Sequence, residues 1–364
     1  MSGSEHAIAG VATANDTDAR ARITENGNAI EVVCGTDIKS LRLPVQVVQP
    51  TEDPIVLPRT AIRTLRLRAR EANNTTSQQE NITPWMSESL PSSTELSCAS
   101  CKVVLVPRGN ITQWKDLPSD GWAEMMEFWH CHKPDEHDTY GHQTSQKGYS
   151  ASSQLNIESG VGLLDATTML LSPNDVQGLT EYINGDITIQ CCSCTADLGC
   201  NDIDTHAVRL SKSSILISDR SKTSGPPFNK EKWSACSLLT AMENQGVHRL
   251  NVVCRTADAA YLVWIFAPFL LVSSTMSELP QPLSVVKVLW KPATRQEALR
   301  NDEKLSGGGS STGILELTAL DFQELVSCLT TAVGLLPANG GTFNGWNVAL
   351  LPRFTQVDVR SSIA

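Results

Sequence analysis

Two short segments restrict this chain more than any other feature. Cys98-Ala-Ser-Cys101-Lys-Val-Val-Leu105 is echoed far downstream by Cys191-Cys-Ser-Cys194-Thr-Ala-Asp-Leu198, with Gly199 next. Each is a Cys-x-x-Cys hook followed by three residues and a leucine. A two-residue gap lets both thiolates of one turn reach one metal ion while backbone N–H groups point at the sulfurs. Two such turns make a tetrahedral four-thiolate site. The pairing predicts a shared structural zinc on Cys98, Cys101, Cys191 and Cys194. Two other readings stay open: buried thiols that merely lie close in sequence, or a redox dithiol. Neither hook shows the Trp or Pro usual around a redox pair. Cys200 is a further possible ligand, and Cys192 would point away if its neighbours in the hook bind.

The rest of the composition bounds what surrounds such a site. A chain of 364 residues suits two domains. Hydrophobic residues make up 41%, so zinc would staple one region and not replace a core. The formal charge of −10 and pI near 5.2 repel phosphate backbones, so direct nucleic-acid binding is not expected. Eleven cysteines, an odd number, and no apolar signal segment at the start point to a reducing compartment, cytoplasm and nucleus. The longest apolar run, Tyr261 to Val272, is broken by Pro268 and too short to span a bilayer; it reads as buried strand, with no membrane partner.

The pattern along the chain predicts a β-rich α+β protein: a zinc-stapled N-terminal β domain followed by a smaller α+β C-terminal domain. Residues 1–27 are small, polar and charged and read as a disordered N-terminus. The β domain is expected over 28–217. Leu65-Arg-Leu-Arg-Ala-Arg70 alternates cleanly, placing Arg66, Arg68 and Arg70 on one face; the stripe fits an acidic partner or RNA, and equally a solvated strand face. Residues 71–95 read as a polar linker or loop. Trp122, Met125, Met126 and Trp129 form one apolar helix face that runs into His130-Cys131-His132-Lys133-Pro134. The linker 218–230 contains Gly225-Pro-Pro227, and the α+β domain is expected over 231–364. It should hold helices near Lys232–Asn244 and Asp321–Leu335 and a last strand at Trp346–Leu351, with Trp346 buried.

These landmarks resemble a family, the HECT-like E3 ubiquitin ligases that bind ubiquitin-conjugating enzymes, found in fungi and animals; the likeness is to a fungal member. The residues that carry it are the first hook, Leu117-Pro-Ser119 with Trp122, Glu124 and Met125, and Trp129 with Cys131-His132. The second hook with Leu198-Gly199 and the run Leu336-Pro-Ala-Asn-Gly-Gly-Thr-Phe-Asn-Gly-Trp346 with Leu350-Leu351 complete the set. The hook pair alone also resembles the zinc-held β-tent of Yippee-like and cereblon-type domains, a likeness of local architecture only. The family resemblance implies ubiquitin transfer, with ubiquitin and a conjugating enzyme as partners and substrate degradation as the outcome. It also implies association with the endonuclease of mRNA 3′-end cleavage and polyadenylation.

One departure bears on chemistry. HECT ligases carry a catalytic cysteine in a Leu-Pro…Thr-Cys-Phe-Asn motif, and here Thr342 stands where that cysteine would sit. A threonine hydroxyl lacks the acidity and nucleophilicity of a thiol, so no thioester is expected there. Cys328 falls mid-helix and reads as core. The remaining catalytic candidate is Cys131. His130 and His132 would favour its thiolate, and a helix C-terminus would oppose it. Three roles are open to Cys131: nucleophile, metal ligand together with His132, or packing. Two functions follow: a ubiquitin ligase or ligase scaffold, or a non-catalytic zinc-stapled protein that escorts or inhibits the cleavage endonuclease.

Overall fold

The computed structural model of the protein describes residues 6–12, 19–48, 54–57, 62–70, 81–117, 157–184, 186–202, 205–219, 227–274, 282–299, 312–332, 336 and 340–363. The tryptophan helix expected near Trp122–Trp129, with Cys131 and His132 at its end, lies outside them. Packing divides the chain into two compact units. One gathers residues 1–83, 228–242 and 247–360; the other gathers 84–227, 243–246 and 361–364. Residues 28–83 thus group with the C-terminal half, whereas the sequence reading placed them with the hooks.

The first unit begins with β1 (His6–Ala12), β2 (Ala19–Thr24), β3 (Ala29–Cys34), β4 (Asp37–Arg42), β5 (Ile55–Val56) and β6 (Ile62–Arg68). Strands β4-β3-β2-β5 form one antiparallel sheet and β1 pairs with β6. Ala19, Ala21 and Ile23 point inward toward Ile30, Val47 and Leu67, while Arg20 and Arg22 point out. Two strands therefore occupy the stretch expected to be disordered. Its composition hid them because β2 fills two of its three inward positions with alanine, too little apolar bulk to stand out in a polar segment. In β6 the alternation holds as read: Leu67 and Ala69 are buried, and Arg66, Arg68 and Arg70 are exposed.

The second unit holds β7 (Glu95–Cys98), β8 (Val104–Val106), β9 (Gln113–Asp116), β10 (Val161–Leu164), β11 (Thr168–Leu171), β12 (Leu179–Asn184), β13 (Asp186–Cys191), β14 (Asp197–Asp202), β15 (Ala207–Ser211) and β16 (Ile215–Ser218). Among the described residues they make two sheets, β16-β7-β8 and β12-β13-β14-β15-β11-β10-β9. Among the described residues of this unit only β9 and β10 pair in parallel. Leu96, Leu105, Leu164, Met169, Leu198 and Leu210 are fully buried. Residues 84–94 are a loop, as read, but one packed into the second unit: Trp85 and Leu90 are buried, and the Ser87 N–H donates to Asp116 at 2.8 Å. Lys212 is fully buried beside them, its ammonium donating to the carbonyls of Trp85 (3.1 Å) and Pro84 (3.3 Å), which offsets part of its desolvation. Gly199 of β14 pairs with β15, and a Cβ built there would sit 1.9 Å from the Arg209 carbonyl oxygen.

The first unit resumes with α1 (Lys230–Gln245), β17 (Arg249–Cys254), β18 (Ala260–Val272), β19 (Leu283–Ala293), β20 (Thr312–Leu317), α2 (Ala319–Thr331), β21 (Thr342–Phe343), β22 (Trp346–Pro352) and α3 (Gln356–Ile363). The apolar run from Tyr261 is most of β18, as expected, but it is not the buried strand its composition implied: within the run only Val263 and Ile265 are buried, and Phe266 is exposed. The sheet order is β20-β17-β18-β19-β22-β21, with β17 and β20 parallel. Leu238, Leu239 and Met242 of α1 and Phe322, Leu325 and Leu329 of α2 pack on one face, against Val252, Ile265 and Val288. Thr318 caps α2 by accepting the Asp321 N–H at 3.2 Å. Strand β22 lies between β19 and β21 and buries Val348, Ala349, Leu350 and Leu351. Trp346, expected to be buried, is half-exposed. It lies on the opposite face from the helices, where the Lys291 ammonium sits 4.7 Å from its ring centre.

Two outcomes follow from this packing. Removing residues 337–364 takes away β22, so thermal unfolding followed by circular dichroism should show a lower and broader transition than the full chain. Gly199→Ala forces backbone apart in a packed sheet and should cost about 1–3 kcal/mol, read as a lower urea midpoint at unchanged slope.

Candidate metal centre

Both hooks are the tips of β-hairpins, the first joining β7 to β8 and the second joining β13 to β14. Their backbones are built alike. The Cys98 N–H donates to the Val103 carbonyl and the Lys102 N–H to the Cys98 carbonyl, each at 2.9 Å. In the second hook the Cys191 N–H donates to Ala196 and the Thr195 N–H to Cys191, again at 2.9 Å. The residue after each second cysteine is left-handed, Lys102 at φ 65° and Thr195 at φ 57°. Neither is glycine, so each turn carries a small backbone cost that its hydrogen bonds and the site must offset. The leucine that follows each hook, Leu105 or Leu198, is fully buried and anchors its hairpin in the core.

This construction brings four sulfurs together. Cys98 Sγ lies 3.7 Å from Cys194 Sγ and Cys101 Sγ lies 3.5 Å from Cys191 Sγ, and all four fall within 4.8 Å of one another. A tetrahedral zinc with Zn–S bonds of about 2.3 Å needs sulfurs about 3.8 Å apart. The observed distances fit that geometry and are far too long for disulfides, and all four cysteines are free. Cys98 and Cys191 are buried, whereas Cys101 faces solvent. Cys192 and Cys200 stand outside the cluster: Cys192 is exposed beside Gly178, and Cys200 is buried on β14.

The electrostatics of the cluster favour a cation. Burial pushes the Cys191 thiol up, but the N–H groups of Ser193 and Cys194 and hydrogen bonds from Cys101 and Cys194 outweigh it and bring it down to about 7. Cys194 moves the other way, to about 12. The Ala196 N–H lowers it, and burial with the crowding of Cys101, Cys98 and Cys191 prevails. Burial raises Cys98 as well. One thiolate therefore forms readily and the rest must ionise beside it, a repulsion that a divalent ion removes.

The other sequence candidates fall elsewhere. Cys131 and His132 lie outside the described residues. Cys328 is buried in α2, and burial raises its thiol pKa. Thr342 is exposed on β21, beside a tight turn at Asn344 (φ 47°) and Gly345 (φ 79°) that returns the chain into β22.

A β-rich chain with paired cysteine hairpins and a threonine at the HECT-like tip defines a class, and comparison supplies the family. The HECT-like ubiquitin-conjugating enzyme (E2)-binding family matches residues 3–348, and the chain belongs to it. An uncharacterized protein of Schizosaccharomyces pombe is 25% identical over 267 residues, 71% of this chain and 73% of that protein. An uncharacterized protein of Saccharomyces cerevisiae is 26% identical over 187 residues, 50% of each chain. No solved structure matches.

Metal analysis of purified protein should give one zinc per chain. Such sites bind with an apparent 10–16 kcal/mol at neutral pH (roughly), comparable to a domain's whole stability, so Cys98→Ser or Cys194→Ser should yield insoluble or protease-sensitive protein. Protons compete with the metal for the sulfurs. In metal-free protein the depressed Cys191 contributes stability that is complete above its ordinary value of 9.0 and is lost as pH falls through about 7. Zinc should hold that loss off to lower pH, seen as a melting-temperature difference between loaded and chelated samples that closes on acidification. Folded, metal-free protein of unchanged stability would remove the zinc reading.

Proposed function

We propose that this protein is an E3 ubiquitin ligase scaffold: it binds a ubiquitin-conjugating enzyme and promotes transfer of ubiquitin to a substrate marked for degradation, without carrying ubiquitin on the HECT-like tip. Membership of the E2-binding family carries the reading. Thr342 in place of the HECT cysteine supports the scaffold form, because an exposed threonine hydroxyl cannot carry a thioester and is a poor acyl acceptor at neutral pH. In this scheme the zinc is structural. Cys98, Cys101, Cys191 and Cys194 satisfy a four-coordinate ion completely and leave no open position for a reacting group.

A second reading has its own support. Among the described cysteines outside the cluster only Cys192 is exposed, and Cys34 is half-exposed. Few accessible thiols among the described residues suit a non-catalytic binding protein that escorts or blocks the mRNA 3′-end cleavage and polyadenylation endonuclease.

One reaction separates the two. The protein is mixed with conjugating enzyme charged with ubiquitin, and products are run on non-reducing gels. The scaffold reading expects faster discharge of the conjugating enzyme, no reductant-sensitive adduct on this chain, and unchanged rates for Thr342→Ala. An adduct lost only in Cys131→Ser would instead make Cys131 a nucleophile. No effect on discharge, with retained binding to the endonuclease, would favour the escort.

A further inference from the structure

The six-stranded sheet of the first unit has one face under α1 and α2, and the residues of its other face form an unusual set. Register decides which residues share that face. Leu250 pairs with Val263, and Ile265 with Val288, on the helix side. Their neighbours Arg249, Trp264, Lys287 and Lys291 therefore point the other way, as do Trp346 from β22 and Phe343 from β21, with Leu289 and Val348 on the same face but buried. On this face each cation lies over a ring: Arg249 over Trp264 at 5.1 Å, Lys287 over Phe266 at 5.0 Å and Lys291 over Trp346 at 4.7 Å. Trp264 and Phe266 also meet edge to face, at 5.2 Å.

Two properties set this face apart from ordinary surface. Phe266 and Phe343 are large apolar groups left 47% and 52% exposed, with Trp264 and Trp346 half-exposed beside them. Among the described residues, none of the three cations has a carboxylate within ion-pair distance, although the chain carries a net charge of −10. Three acids elsewhere in this unit are engaged with other bases, Glu324 with Lys230, Asp358 with Lys232 and Glu316 with Arg295. Aromatic anchors and arginine are what concentrates binding energy at protein interfaces, and uncompensated cations call for carboxylates opposite. Stacking rings with cations would also suit single-stranded nucleic acid, but an acidic chain repels a phosphate backbone on approach.

We infer that this cation–aromatic sheet face is the docking surface for the ubiquitin-conjugating enzyme, and that it engages an acidic, partly apolar patch of that partner. The inference rests on the E2-binding reading above and adds where and by what chemistry the partner is held. The rings already hold the cations in place, so little side-chain freedom is lost on binding.

The test measures binding of full-length, zinc-loaded protein to a panel of purified, uncharged ubiquitin-conjugating enzymes by calorimetry at low and high salt. Lys287→Glu with Lys291→Glu should weaken binding at least tenfold and flatten its salt dependence. Phe343→Ala, an exposed change that leaves the melting temperature in place, should weaken it severalfold. Arg66→Glu with Arg68→Glu, on β6, should leave it unaltered. If the wild type binds a conjugating enzyme and the Lys287, Lys291 and Phe343 variants bind equally well, the docking face is wrong and the E2-binding reading survives. If the wild type binds no conjugating enzyme, both fall. If the same residues are needed for poly-uridine RNA and are indifferent for the enzyme, the face belongs to nucleic acid and the inference is overturned.

Discussion

Four sulfurs within 4.8 Å of one another impose the strictest condition on the second unit. Thiols so placed cannot all ionise in each other's company, and two of them are buried where charge is costly. The geometry makes sense with a divalent ion among them, which turns mutual repulsion into attraction. Much else in that unit serves this convergence. Two hairpins with the same hydrogen-bond pattern present the sulfurs, left-handed residues close the turns, and the buried Leu105 and Leu198 anchor the strands behind. The ion would join tips that belong to two different sheets, one of three strands and one of seven among the described residues. Hairpins joined only through their core side chains could slide; a four-coordinate centre fixes both register and distance.

The C-terminal part of the first unit is held by ordinary means. Two amphipathic helices cover one face of a six-stranded sheet, and their leucines and phenylalanine exclude water from it. Each apolar side chain of this size contributes about 1.5–3 kcal/mol when fully buried, so no staple is required there. The consequence for function is a division of labour within one chain. The unit with the four-cysteine cluster gathers thiols that could hold an ion, while the unit bearing the Thr342 hairpin is held by its hydrophobic core.

That tip explains why membership of an E2-binding family does not by itself supply a HECT mechanism. Thr342 and Phe343 form a two-residue strand on a tight hairpin, exposed and ending in Asn344-Gly345. The hairpin displays an aromatic side chain and a hydroxyl, a combination suited to contact and not to acyl transfer. In the scaffold reading proposed above, positioning a charged conjugating enzyme needs shape and charge and not a nucleophile.

Much was legible in the sequence because it is encoded locally. The hooks could be read from spacing, and their convergence followed from the coordination needs of one ion. The strand stretches at Leu65–Arg70, Tyr261–Val272 and Trp346–Leu351 and helix α2 announce themselves by alternation, apolar runs or a 3.6-residue period, since burial of one face requires that pattern. What the sequence did not reveal depends on partners distant in the chain. Ala19 and Ala21 read as polar-tail composition until Ile30, Val47 and Leu67 are seen to close over them. Trp85 and Leu90 sit among serines and prolines, yet are buried in the second unit with the Lys212 ammonium on the Trp85 carbonyl. Trp346 was expected inside as one of a concentrated apolar set in the tail, but strand alternation turns it away from the helices, and Lys291 lies over its ring. The grouping of residues 1–83 with the C-terminal half has no local signature at all. Periodicity states that a segment has a face to bury; only the assembled chain decides what that face meets, because the free energy of burial belongs to the pair of surfaces and not to either segment alone.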